Sequence, residues 1–353
     1  MPDIEQLARQ LADELKKQKA DFVEARLEES ESSQIIYRGR VLESIGRNTG
    51  AGGNIRALRK GGWGFTSFNS FDDIASRVPL AVEQAAAVGT GKSELAQVDP
   101  VQDNVSAGVQ QNPVEIPLSD KKAILDEYNE IIWSTPQLQT STIGYSDGRK
   151  KVVYVNSEGA FIVQERMDVA LRIAAIAAKD GEVQQVGISL GSRGDFNAIH
   201  GLHDQVRDIA EKAVNLLSAP QIEGREYTVV LDPILAGVFV HEAFGHLSES
   251  DFVYENDRMR DIMTLGKTFG SPVLNIVDSA AWQGLRGSFK YDDEGTPSHK
   301  TYLIREGKLV GRLHSRETAA KMGEQPTGNA RAINYRHPPI VRMRDFWGQG
   351  GMQ

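Results

Sequence analysis

The chain contains no cysteine among its 353 residues. That excludes disulfides, a thiol nucleophile and thiolate metal ligands. Long apolar runs are missing too. The longest, residues 234–240 and 173–178, fall far short of the roughly 20 residues that cross a bilayer. The first residues, Met1-Pro2-Asp3-Ile4-Glu5, are acidic with no apolar stretch behind them, so no secretory leader is read there and a cytoplasmic protein is expected. Positive charge is in deficit, with 40 Lys and Arg against 48 Asp and Glu and a formal net charge of −8. A broad phosphate-binding surface needs clustered cations, so neither nucleic acid nor a membrane is an expected partner.

What is present is ordinary globular material: 40% hydrophobic and 25% charged residues. A prior of roughly 150 residues per domain suggests two or three domains. Apolar spacing at Ile4, Leu7, Leu11 and Leu15 predicts an amphipathic helix over 4–18. Strand-like segments follow at 22–27, 34–37, 41–45 and 53–58, then a Gly-rich turn at 61–65. A helical pattern over 71–88 contains Pro79, which is expected to split it. Residues 89–118 read as a polar connector and 119–133 as a helix capped by Ser119 or Asp120. Residues 138–193 read as long antiparallel strands, with Asp180-Gly181 a strong hairpin turn. A helix over 202–217, a short buried strand at 227–231 and a helix over 233–247 complete the pattern, with strand and turn beyond residue 270.

The helix over 233–247 carries His241-Glu242-Ala243-Phe244-Gly245-His246. His-Glu-x-x-His on a helix is a zinc-hydrolase signature, in which two imidazoles on one face hold the metal and the Glu activates water. The spacing here is one residue longer. On a regular helix, positions i and i+4 are offset by about 40°, but i and i+5 by about 140°. The helix must therefore bulge, kink or end between the histidines. A single π turn is one solution, and Gly245 would ease the distortion.

Several other features carry less. Gly89-Thr90-Gly91-Lys92-Ser93 ends like a phosphate-binding loop, but Ala86 stands where that pattern needs Gly, and a helical run precedes it. Ser248 and Ser250 lack a G-x-S-x-G elbow. His200 and His203 read as loop histidines, and His299, His314 and His337 as structural. Asp292-Asp293-Glu294 reads as a solvated acidic turn.

The motif resembles that of the TldD/PmbA peptidases, and further stretches agree in order along the chain. They are Asn54-Ile55-Arg56 with Gly62-Trp63-Gly64-Phe65; Leu285-Arg286-Gly287-Ser288; Asp292-Asp293-Glu294-Gly295-Thr296-Pro297; and Pro326-Thr327-Gly328-Asn329-Ala330-Arg331, followed by Asn334-Tyr335, His337 and Val341-Arg342-Met343. The resemblance implies a zinc peptidase that cleaves unfolded or small peptides inside a dimer chamber. It acts as a homodimer or as a heterodimer with a PmbA-type paralogue. By the same carry-over His241 and His246 are metal ligands and Glu242 is the general base. The family's third ligand is a downstream cysteine, which this chain does not contain. The chain also stops at Gln353, where family members continue, and so is expected to be C-terminally truncated relative to them.

The expectation is an α+β chain in three segments: an N-terminal α/β lobe (1–110), a strand-rich middle lobe (111–222) and a metallopeptidase domain (223–353), incomplete relative to the family. Glu249, Asp251 or Glu255 is available as a substitute carboxylate ligand. The alternative is a catalytically inactive subunit or interaction protein that keeps the fold without the third ligand.

Overall fold

A computed structural model describes residues 3–89, 91, 93–109, 111–280, 282 and 284–350, the last five as backbone. In chain order the elements are α1 (Ile4–Lys16), β1 (Phe22–Arg38), β2 (Val41–Arg59), β3 (Gly62–Phe68), α2 (Arg77–Val88), β4 (Gln102–Val105), α3 (Leu118–Ser134), β5 (Leu138–Asn156), β6 (Phe161–Lys179), β7 (Glu182–Ser192) and α4 (His203–Leu216). Then follow α5 (Pro233–Val240), α6 (Ser250–Glu255), α7 (Asp257–Ile262), β8 (Leu274–Ser279), β9 (Thr301–Arg305), β10 (Lys308–Leu309), α8 (Arg316–Met322), β11 (Ala330–Arg331), β12 (Ile340–Val341) and β13 (Asp345–Gly350). The fold class is α+β.

One seven-stranded sheet dominates. Its order is β3-β2-β1-β5-β6-β4, with β7 also on β6, and every pairing is antiparallel except the parallel β4–β6 contact. The four short strands read from sequence are two long ones. β1 and β2 run 17 and 19 residues, because the polar stretch between the apolar ends still satisfies its backbone in a continuous ladder. The Asp180-Gly181 hairpin forms as expected, with φ of 52° and 86°.

Side chains alternate across a strand, so Val23, Ala25, Leu27, Ile35 and Tyr37 of β1 share one face. Helices cover that face at both ends. α1 and α2 seal one core around Ile4, Leu11, Leu15, Val78, Ile55 and Val153. α3 and α4 seal the other around Leu125, Tyr128, Ile132, Leu171 and Val206. Pro79 does not break α2, since it sits in the first turn where its missing N–H costs little. α3 begins at Leu118 after Pro117, with no side-chain cap, so neither Ser119 nor Asp120 serves that role. α2 ends at Val88; Thr90 and Lys92 of the loop that follows lie outside the described residues.

The opposite face of β1 presents Glu24, Arg26 and Glu28, and here the structure corrects the sequence reading. Asp292, Asp293 and Glu294 are not a solvated turn. They are 4, 5 and 4% exposed, buried against those charges. Arg26 Nη2 lies 3.3 Å and Arg166 Nη2 3.6 Å from Asp293 Oδ1. Arg56 donates to Glu24 at 2.6 Å and to Glu294 at 2.7 Å. The second Glu294 oxygen accepts from the backbone N–H of Arg316 at 2.9 Å, at the start of α8. Asp292 accepts three backbone N–H groups, from Glu294, Thr296 and Ala330, each at 2.9 Å. Burial pushes the Asp292 carboxyl well above the usual range, helped by the Glu294 charge and opposed by those donors. Burial also acts to raise Asp293, but Arg26 and Arg166 outweigh it and hold the group down at about 2.

The strand expected at 227–231 does not form. That segment has no regular structure and is exposed, with Val230 82% accessible. A strand needs a neighbour to take its N–H and C=O groups, and none pairs with it among the described residues. Nor does any described helix have the length and apolarity to cross a membrane.

Removing one partner of a buried charge network is expensive, so Asp293→Asn should cost about 3 kcal/mol at neutral pH. The folded Asp293 has a lower pKa than the unfolded one. Its contribution is therefore complete above about pH 4 and disappears as pH falls toward about 2. Denaturant titrations of both proteins should show a gap that closes over that window. A gap independent of pH would assign the loss to packing.

Candidate metal centre

The metal-motif helix is built in three pieces. Asp232 caps α5, its Oδ1 accepting from the N–H groups of Ile234 (2.8 Å) and Leu235 (3.0 Å), and Pro233 occupies the first helical position. At His241 the helix widens into a π turn over His241–Gly245, and a 3-10 turn over His246–Ser248 ends it. The widening is seen directly in one bond, from the His246 N–H to the His241 carbonyl, five residues back. That extra residue in the turn is what carries position i+5 back onto the face of position i. Gly245 has φ −58° and ψ −53°, ordinary right-handed values, so the π turn does not draw on glycine's freedom.

The consequence is convergence. The two imidazoles stand edge to face, ring centroids 4.9 Å apart. One donor atom each from His241, Glu242 and His246 lies within 4.8 Å of the other two, and among the described residues these three form the one such group. His246 Nε2 is 3.9 Å from Glu242 Oε2, while its other nitrogen, Nδ1, is 3.4 Å from Glu249 Oε2. Two imidazoles and a carboxylate suit a borderline divalent cation such as zinc.

The other carboxylates considered as ligands do not join this group. Glu249 is wholly buried behind the His246 ring. Asp251 spends Oδ2 on the Val341 N–H at 2.6 Å, and burial pushes its pKa up. Glu255 lies outside the group and lines a neighbouring cavity of about 720 Å³ with His246, Leu247, Phe252 and Met259. His200 and His203 are far in the fold, His203 pairing with Glu127 at 3.0 Å. His314 is buried, its Nε2 3.1 Å from Glu324 and 3.4 Å from Ser250 Oγ, and it supports the peptide that follows the motif.

A cleft of about 650 Å³ opens on the histidines, and its far wall is the segment carrying Arg331, Ile333, His337, Pro338 and Arg342. The charge network holds that wall. Asp293 Oδ2 accepts from the Ala332 N–H at 2.9 Å and Asp292 from Ala330, at and beside β11. β11 pairs with β12, whose Val341 is held by Asp251 on α6. Asn54 of β2 donates to the Tyr335 carbonyl at 2.8 Å. Sequence reasoning missed this use of Asn54, Asp292 and Asp293, because their partners are some 40 to 280 positions away.

The exit from the π turn rests on one buried hydroxyl. Ser248 Oγ donates at 3.0 Å to the Phe244 carbonyl. Ser248→Ala should leave that carbonyl without the bond and lower stability by about 1–2 kcal/mol in chemical denaturation. An unchanged midpoint would mean that the carbonyl has another donor.

Comparison with known proteins places these observations. Residues 23–89, 111–217 and 224–352 match, in turn, domain 1, the central domain and the C-terminal domain of the PmbA/TldA metallopeptidases. A metalloprotease of Synechocystis is 46% identical over 94% of this chain and 72% of its own length. A zinc metalloprotease TldD homolog of Saccharolobus solfataricus is 26% identical over 94% of this chain and 73% of its own length. Among solved structures, a protein of Bacteroides thetaiotaomicron described as a modulator of DNA gyrase superposes with a TM-score of 0.78 at 14% identity, covering 98% of this chain and 77% of that one. TldE of Thermococcus kodakarensis superposes with a TM-score of 0.70 at 18% identity, covering 98% and 78%. Family models over most of the chain, and a relative nearly half identical along it, establish that the chain belongs to the PmbA/TldD metallopeptidase family.

Proposed function

We propose that this chain is a zinc-dependent peptidase of the TldD type, hydrolysing unfolded or small peptides, with His241 and His246 as metal ligands and Glu242 as general base. The observation that carries the reading is the π turn. A helix widens at a cost in hydrogen-bond geometry, and it does so between the two histidines whose spacing would otherwise keep them apart. The zinc reading draws support from the donor set and from the relative described as a zinc metalloprotease.

Zinc, when bound, would polarise the peptide carbonyl and make water more acidic. The remaining work falls to the chain. The two imidazoles fix the position of the reaction, and Glu242 beside them keeps a side chain that is 66% exposed. It takes a proton from water as the oxygen attacks the carbonyl carbon, then returns that proton to the leaving nitrogen as the C–N bond breaks. The cleft wall with Arg331 and Arg342 offers donors to the backbone oxygens of an extended peptide. We place the protein in the cytoplasm and expect it to act as a homodimer or with a PmbA-type partner. That pairing is in keeping with the structural likeness to TldE.

The second reading, an inactive subunit, is favoured by the convergent group itself, which among the described residues offers two histidines besides the general base where a catalytic zinc usually has three protein ligands. Zinc analysis and peptide cleavage separate the two. The enzyme reading expects about one zinc per chain, lost in His246→Ala. It also expects Glu242→Gln to keep zinc while losing about 10²–10⁴-fold in turnover. No zinc on the wild type would leave the inactive-subunit reading standing.

A further inference from the structure

We propose that Glu249 is a positioning residue of the metal centre: its buried carboxylate accepts the Nδ1–H of His246 and so directs the Nε2 lone pair of that ring toward His241 and Glu242. The inference rests on the metallopeptidase reading above.

The geometry carries it. Glu249 has no exposed surface, and its Oε2 lies 3.4 Å from His246 Nδ1. The other ring nitrogen faces the opposite way, 3.9 Å from Glu242. An imidazole that offers Nε2 to a cation must carry its proton on Nδ1, and a carboxylate behind the ring selects that tautomer. Among the described residues Glu249 Oε1 accepts no hydrogen bond, and the Arg342 guanidinium lies 3.6 Å away. A carboxylate wholly removed from water with one oxygen unbonded is a costly arrangement, and packing alone would favour an apolar side chain there.

The backbone that carries the carboxylate is also fixed, as an orienting group requires. The peptide around it is pinned on both sides: Leu313 N–H donates to the Ser248 carbonyl at 2.9 Å, and Ser250 N–H donates to the Leu313 carbonyl at 3.1 Å. Ser248 in turn is tied to Phe244 inside the π turn. Glu249 therefore keeps a fixed height relative to His246, three residues before it. As a ligand it would be misplaced, because it lies outside the group of donor atoms formed by His241, Glu242 and His246 and meets the ring at Nδ1. It acts through the ring.

The test uses the full chain as wild type, Glu249→Met, Glu249→Gln and His246→Ala, each titrated with zinc against a chromophoric chelator. Alongside, ¹⁵N shifts of the His246 ring are read in the metal-free protein. Wild type should bind about one zinc and His246→Ala none. Met, close to Glu in shape but without an acceptor, should weaken binding by about 10–100-fold. Gln keeps an acceptor oxygen and should lose less. The wild-type ring should be protonated at Nδ1, and the Met variant should move the proton to Nε2. Wild-type affinity in a folded Met variant, or a wild-type ring protonated at Nε2, overturns the positioning role while the metallopeptidase reading stands. If the Met variant does not fold, the wild-type ring protonation decides alone. Absence of zinc on the wild type overturns both readings together, and that titration distinguishes it from failure of the positioning role alone.

Discussion

The charge network between the large sheet and the turn at Asp292–Glu294 is the interaction on which the arrangement of the candidate metal centre depends. One face of β1 is apolar and sealed by helices. The other carries Glu24, Arg26 and Glu28, which in isolation read as a wetted face. Dehydrating those groups is affordable only because each meets an opposite charge: Arg56 between Glu24 and Glu294, Arg26 and Arg166 beside Asp293. Such networks contribute little net stability compared with an apolar interface, but they tolerate only one register, since a slip leaves several charges buried and unpaired. The interface thus fixes position more than it adds affinity between the segments.

That register is passed on to the cleft. Asp292 and Asp293 hold the backbone of residues 330 and 332, Asn54 holds residue 335, and Asp251 holds residue 341. The wall facing the histidines is therefore tied to the sheet at one end and to α6, just beyond the motif, at the other. Gly52 permits part of this. A Cβ there would lie 2.4 Å from the Tyr335 ring, so only glycine lets the loop settle on β2. Cleft-lining residues on a loop are given the precision of a rigid element by being bonded to two of them.

Much of this was legible in the sequence, and the limits have physical causes. Helical periodicity and the Asp-Gly turn depend on neighbours in the chain, so α1, α4 and the β6–β7 hairpin could be read directly. That the helix must bulge, kink or end between the histidines followed from geometry, because two histidines five apart cannot share the face of a regular helix, and the structure takes the π turn among those options. Its dependence on Gly245 did not follow: the turn uses dihedrals open to any residue. The acidic turn was misread for a different reason. Three consecutive carboxylates are solvated unless distant cations arrive, and Arg26, Arg56 and Arg166 come from strands more than a hundred residues away. Residues 227–231 failed in the opposite sense. Their β-branched composition suits a strand, but propensity cannot supply a partner. The family motifs at 54–56, 292–297 and 326–343 seemed separate in sequence and are a single contact set in space.

The composition of the convergent group sets what it asks of its surroundings. An imidazole brings no negative charge to a cation, so Glu242 is the one carboxylate in the convergent group. In that setting the charge standing behind a ligand matters more, since it raises the basicity of the ring it touches. Glu249 is placed to supply it, and Arg342 reaches the same carboxylate from the cleft side. A peptide whose own oxygens drew Arg342 away would strengthen the pull of Glu249 on His246. Occupancy of the cleft and the electron-donating power of the site would then be linked through one buried carboxylate.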